Sequence, residues 1–374
     1  MSRLKKLGFL WSYSVLAVIV GGYYAGGWTW AAVPYVFGII PLLDFLIGKD
    51  PENVSRADYE RVLSDRYFDV LVYSFVYLHY GLLVWAGWQL RYAPLTGWQQ
   101  AGLVVSVGIF AGTIINVAHE LGHRSSKMAR FHAKAALLSV GYMHFYLEHN
   151  RGHHVHVATP LDPATARKNQ SVYGFWWQSF TGGFRSAWRI QRRLLQKDGK
   201  PFWSKENYML AATAGPLLWC LALTLFLEMP FLGEMAFLET GSIPAFFAVQ
   251  CAIGILLLES VNYIEHYGIL RKEVAPGRYE RVNPLHSWNA SHLISNLVLF
   301  QLQRHSDHHA YASRPYQVLR HFDESPQLPA GYPLMILLAL VPPLWFRVMN
   351  PRLENWQQRA CSPEEITRLV RQFA

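Results

Sequence analysis

The sequence predicts an all-α membrane protein, with six transmembrane helices that carry a histidine-rich metal site at their cytoplasmic ends. Three observations predict it. Apolar residues make up 52% of the 374 residues and charged residues only 16%, against about 25% charged in ordinary soluble chains. Long stretches run without a single Lys or Arg. Sixteen histidines are present, most of them in tight clusters, whereas the three cysteines (Cys220, Cys251, Cys361) are far apart with no CxxC. That cysteine pattern excludes a disulfide framework, a zinc ribbon and a rubredoxin-type iron site.

The six spans fall at about residues 7–24, 28–47, 70–90, 101–121, 207–227 and 244–263. Each is close to the ~20 residues a helix needs to cross ~30 Å of hydrocarbon. The first two are joined by a tight turn at Gly26-Gly27, and the others by polar connectors. The first apolar run leads straight into a second, so the start reads as a membrane helix, with no cleavable signal peptide evident. A last apolar run at 334–346, interrupted by Pro342-Pro343, is short for a span and reads as a buried or re-entrant segment.

Orientation follows from charge. The loops at about 25–27, 91–100 and 228–243 hold one of the 34 basic residues, Arg91. The positive-inside rule therefore puts those loops outside and both termini in the cytoplasm. The net charge of +9 is thus mostly topological, and nucleic-acid binding is not needed to explain it.

Four histidine clusters emerge at the cytoplasmic face on this topology. They are His119-Glu120-Leu121-Gly122-His123, Glu148-His149-Asn150-Arg151-Gly152-His153-His154, Glu265-His266, and His305-Ser306-Asp307-His308-His309. Helical spacings of three and four place side chains on one face. His119/His123, His149/His153 and His305/His308/His309 are therefore each expected to aim at a common point. His154 points about 100° away from His153 and suits a second metal.

Simpler readings apply to parts of this pattern. HELGH alone matches a zinc-protease motif with Glu120 as base, but that leaves seven clustered histidines unexplained. His79, His132, His156 and His321 read as hydrogen-bonded structural residues, while His144, His286 and His292 lie near clusters with no assigned role. Structural zinc prefers cysteine and four ligands, and Mg or Ca prefer oxygen. Nine imidazoles fit two first-row ions with open positions, and iron suits a site facing inert hydrocarbon. The carboxylates Glu120, Glu148, Asp162, Glu265 and Asp307 are expected to orient imidazole N–H groups.

The segments HELGHR, EHNRGHHVHVATPLDPATAR, NYIEHYG and LQRHSDHHA together resemble the integral-membrane alkane 1-monooxygenase (alkane ω-hydroxylase) family. The likeness extends to PLLDFLIGKDP, HSWNASHLISNLVLFQLQRHSDHH and PPLWF. It implies one integral-membrane hydroxylase domain over 1–374, with cytoplasmic catalytic segments at about 119–206 and 264–374. It also implies a non-haem di-iron site held by His119, His123, His149, His153, His154, His266, His305, His308 and His309. The implied reaction is terminal hydroxylation of medium- to long-chain alkanes with O2. Electrons would come from a separate rubredoxin, itself reduced by a reductase with NADH. Arg124 stands where the family usually has lysine, which keeps the charge. The implied location is the bacterial inner membrane.

Terminal attack runs against intrinsic C–H reactivity, so shape must impose it, through a narrow apolar channel open to the bilayer. Candidate channel residues on the second and fourth spans are Val36, Phe37, Ile40, Ile109, Thr113 and Asn116, with Val36 as a chain-length gate. A basic surface including Arg185, Arg189, Arg192, Arg193, Lys197, Lys205 and the C-terminal arginines is the candidate rubredoxin dock; anionic lipid is the other use for it. The alternatives are a membrane fatty-acyl desaturase, a xylene-type methyl hydroxylase, and a metal transporter. The last would need more polar or ionisable residues in its spans than His79, Asp44, Asn116 and Glu259.

Overall fold

Alternation of long apolar runs with polar connectors leaves the backbone little choice but helix, because hydrocarbon offers no partner for an unpaired N–H or C=O. The structure is a computed structural model and describes residues 1–228 and 242–358. Most of the predicted outer loop at 228–243, Cys361, the end of the predicted catalytic segment and the C-terminal arginines lie outside the described residues. Helices run in the order α1 (Arg3–Tyr24), α2 (Ala32–Ile47), α3 (Arg56–Leu63), α4 (Arg66–Tyr92), α5 (Gly97–Gly122) and α6 (Lys127–Ser139). Next come α7 (145–156), α8 (Val172–Lys197), α9 (Tyr208–Glu228), α10 (Ile243–His266) and α11 (Leu293–Val298). The order closes with α12 (His305–Ala310), α13 (Tyr332–Ala339) and α14 (Pro342–Gln358). Among the described residues the only sheet is a two-stranded hairpin, Glu273–Ala275 with Arg278–Tyr279.

Five helices, α1, α4, α5, α9 and α10, are long and apolar enough to cross a membrane, and the bent pair α13–α14 brings the number to six at most. The expected span at 28–47 is corrected. The turn at Gly26 and Gly27 (φ +100° and +77°) and the residues behind it delay the helix until Ala32. The 16 residues left cover about 24 Å at ordinary rise, less than a ~30 Å core. Tyr35–Ile39 of α2 are π-helical, with the Ile40 N–H bonding to the Tyr35 carbonyl. The apolar run 334–346 is the break between α13 and α14, which meet at 120°.

Caps fix where several helices begin. The Thr96 hydroxyl accepts from the Gln99 N–H, and the Gln99 side chain reaches back to the Thr96 N–H, closing both ends of a capping box at the start of α5. Ser126, Ser171 and Ser242 cap α6, α8 and α10 in the same way with a single hydroxyl.

The central helix is α5, with 78% of its apolar window buried against 22% for α1 and α9. It meets α10 along small residues. A Cβ added to Gly108 would come 2.7 Å from the Ile253 Cβ, and one added to Gly254 2.8 Å from the Ala111 Cβ. The Gly108–Gly112 spacing is the small-xxx-small pattern that lets membrane helices approach. This contact brings the ends of α5 and α10, with His119 and His266, into one neighbourhood.

Candidate metal centre

Nine imidazoles gather where α5, α7, α10 and α12 end, and they form two groups. The outer site is His119, His123, His149, His154 and His308, with His123 and His154 half-buried; the inner site is His153, His266, His305 and His309, all buried. Within each group the candidate donor atoms lie within 4.8 Å of one another. These are the nine histidines singled out from the sequence.

Their grouping differs from the spacing rule. His149 and His153 fall in different sites, because His149–His153 are π-helical and the His154 N–H bonds to the His149 carbonyl. An i→i+5 turn stacks His154, not His153, over His149, and their Nε2 atoms are 3.0 Å apart. In α12 the i, i+4 pair His305/His309 stays together at 2.8 Å. His308, one residue from His309 and so about 100° round the helix, turns to His154 of the outer site at 3.2 Å.

The geometry fits a metal in each group. Nε2–Nε2 separations are 3.1 Å for His123–His149, 3.1 Å for His266–His305 and 3.3 Å for His153–His309. Adjacent ligands on an octahedral ion with bonds of ~2.1 Å stand about 3.0 Å apart, which matches. Protons alone do not satisfy such a cluster. A neutral ring has one N–H, yet His149 Nε2 faces both His123 and His154, and His119 Nε2 is buried with no partner among the described residues. Burial, reinforced by neighbouring imidazoles, holds His149, His154, His308 and His309 well below the ordinary histidine value. They are therefore neutral, the form that binds metal. Burial also depresses His153, but Asp162, 2.9 Å from its Nδ1, more than reverses this.

The five carboxylates part company. Asp162 does orient an imidazole, that of His153. Glu265 places Oε2 3.2 Å from His305 Nε2, and its Oε1 accepts 2.7 Å from the Tyr332 hydroxyl. Glu120 instead pairs with Arg124 at 3.0 Å. Asp307 takes Arg314 at 3.0 Å and Arg320 at 2.8 Å. Glu148 keeps one oxygen buried and without a partner among the described residues; burial, then the charge of Asp162, pushes it up to about 8. Glu120 and Asp307 thus serve half-buried arginines and touch no imidazole nitrogen in the described contacts.

Arg304, part of the LQRHSDHHA segment but given no role there, ties the site to a neighbouring loop. Its guanidinium donates to the carbonyls of Leu319 (2.7 Å), Asp50 (3.0 Å) and Glu52 (3.0 Å). The loop after α2 is thereby tied to the residue before His305, which gives the GKDP segment a structural reason. Four of the other seven histidines have ordinary partners: His79 with the Ser139 hydroxyl (2.8 Å), His132 with Tyr77 (2.6 Å), His321 with Ser291 (2.6 Å) and His286 with Glu280 (3.3 Å).

Above the metal centre lies an apolar cavity of about 70 Å³. All six candidate channel residues, Val36, Phe37, Ile40, Ile109, Thr113 and Asn116, line it. So do residues from α10, α13 and the turn after α11 that were not candidates from the sequence, among them Val261, Leu299, Leu302 and Tyr332.

A bundle of apolar helices that walls a cavity and carries two adjoining polyhistidine sites on the same helices defines a class: membrane proteins built to bring metal chemistry to a hydrocarbon-like ligand. The fatty acid desaturase family model matches residues 96–339. Alkane 1-monooxygenase 2 of Pseudomonas aeruginosa is 43% identical over 368 residues, covering 95% of this chain and 94% of that protein. Alkane 1-monooxygenase 1 of Alcanivorax borkumensis is 39% identical, covering 97% and 89%. The xylene/toluene monooxygenase hydroxylase component XylM of Pseudomonas putida is 28% identical, covering 93% and 88%. The chain belongs to the alkane 1-monooxygenase family.

Proposed function

We propose that this protein hydroxylates the terminal methyl group of medium- to long-chain alkanes, using O2 and two irons held by the nine histidines. The observation that carries the reading is that helices α5 and α10, which bring His119 and His266 to the two polyhistidine sites, also wall one apolar cavity. In the balanced reaction one oxygen atom of O2 enters the C–H bond to give a 1-alkanol. The other leaves as water, with two electrons and two protons supplied. Iron, when bound, would supply the O2-activating chemistry that no side chain provides.

What the chain itself contributes is position. Cavity walls from α2 and α5 hold the alkane lengthwise, and Val36 in the π turn of α2 limits how deep it reaches. Asp162 fixes the ring of His153, and Arg304 locks the segment that carries His305, His308 and His309. Electrons come from a separate rubredoxin, kept reduced by its reductase with NADH. The chain's basic surface supports this: Arg271 donates to the Val155 carbonyl at 2.9 Å, one residue from His154, and Arg189 and Arg193 are exposed on α8. An acidic donor docked on them, on Arg185 and Arg192, or on Lys197 and Lys205 would face the half-buried edge of the outer site. By the positive-inside rule this face is cytoplasmic, with the protein in the bacterial inner membrane.

The match to the fatty acid desaturase model favours one second reading, desaturation. Both are tested by metal analysis of purified protein together with a rubredoxin-driven assay under labelled O2 on alkanes of graded length. A labelled 1-alkanol and two irons per chain are expected. An unlabelled alkene establishes the desaturase, and a single zinc overturns both readings.

A further inference from the structure

The two sites are unequal, and the inequality points one way. The inner site offers four imidazoles and the outer site five, so an equal ion keeps one more position open in the inner site. All inner ligands are buried, whereas His123 and His154 open the outer site toward solvent. A dry site strengthens every dipole aimed at a bound molecule.

The cavity leads the same way. Tyr332 lines it and donates its hydroxyl 2.7 Å to Glu265 Oε1. The other oxygen of Glu265 lies 3.2 Å from His305 Nε2. Among the described residues no other carboxylate makes an ion-pair contact with a candidate donor nitrogen that faces a site, since Asp162 sits behind His153 on Nδ1. Two more lining residues run into this site: Val261 lies four residues before Glu265, and Leu302 three before His305. Between the lining residues Leu299 and Leu302 the chain reverses through Phe300 and Gln301 at φ +52° and +55°. Non-glycine residues hold such backbone only where the surroundings enforce it. On the outer side, Asn116 lies three residues before His119, with its amide spent on the Leu299 carbonyl at 2.7 Å.

We propose that O2 and the reacting end of the alkane meet at the inner site, with Glu265, held in place by Tyr332, positioning the molecule bound there. The outer site then takes no direct part in holding O2. This inference rests on the two-iron reading above.

Nitric oxide, which binds reduced iron where O2 does, is the probe. The holoenzyme, loaded with isotopically enriched iron and kept anaerobic, is titrated with it while magnetic-resonance and Mössbauer spectra are recorded. Half of the iron is expected to bind nitric oxide first. Glu265→Gln should shift the spectrum of that half, and Tyr332→Phe should shift it in the same sense while keeping every ligand. Glu120→Gln, beside the outer ligands His119 and His123, should leave it unchanged. In turnover, Tyr332→Phe should raise the share of internal alcohol about tenfold at unchanged KM, as expected for a misplaced substrate end. A nitrosyl spectrum that responds to Glu120→Gln, but to neither Glu265→Gln nor Tyr332→Phe, overturns the inference and leaves the two-iron reading intact. A protein that carries no iron overturns the two-iron reading instead.

Discussion

The chain departs from α-helical geometry twice in the same manner, at Tyr35–Ile39 within the apolar layer and at His149–His153 in the metal centre. Each π turn adds one residue to a turn and so rotates the residues after it. In α2 the turn aims Val36, Phe37 and Ile40 into the cavity. In α7 it pairs His149 with His154 and sends His153 to the other site. One backbone device thus shapes space in the first region and divides ligands in the second. Changes in α7 should therefore alter metal content, and changes in α2 only the product.

The largest effect is expected from His154→Ala, which removes one of the outer donors. Metal per chain should fall, and activity should drop by at least about 100-fold, the upper end of what even an indirect ligand contact is worth. Elemental analysis beside the alkane assay checks both; retention of full metal and activity would break the contrast between the turns. Asp162→Asn comes next. It keeps all nine imidazoles but weakens the hold on His153, so metal affinity should fall about 10–100-fold, read by competition with a chelator while helicity is unchanged.

Gly108→Leu tests the scaffold that both regions share. Its Cβ would crowd Ile253, at a cost of about 1–3 kcal/mol in stability, seen as a lower Tm in detergent and, since α5 carries His119, as looser metal binding. The smallest energetic change is Val36→Trp. Metal content and stability should stay as they are, while the preferred alkane becomes shorter. A mutant that still makes the same range of alcohols shows that Val36 is not the gate, and one that loses metal shows that the π turn of α2 does more than shape the cavity.

Much of this was legible in residue spacing. Long runs without basic residues located the five helices that can cross a membrane, and His119/His123 and His305/His309 share sites as expected, whereas His308, expected beside His305 and His309, belongs to the other site. The extra residue in each π turn leaves no mark in composition, which is why the partners of His149 were misjudged. The short α2 was hidden because residues 28–31 are apolar while belonging to a turn. Nearness in sequence misled for Glu120 and Asp307, since half-buried Arg124, Arg314 and Arg320 competed for those carboxylates. Tyr332 had no signal at all: it reaches Glu265 across 67 positions of chain, a distance no local pattern bridges.

The outer site needs His308, and the inner one His305 and His309. Until synthesis has passed those residues, no ion finds a full set of donors. Metal therefore cannot template the insertion of the early helices. The glycine-lined seam between α5 and α10 must already hold an empty receptacle in shape, and loading is a late maturation step, open to control by whatever governs metal supply after the chain leaves the ribosome.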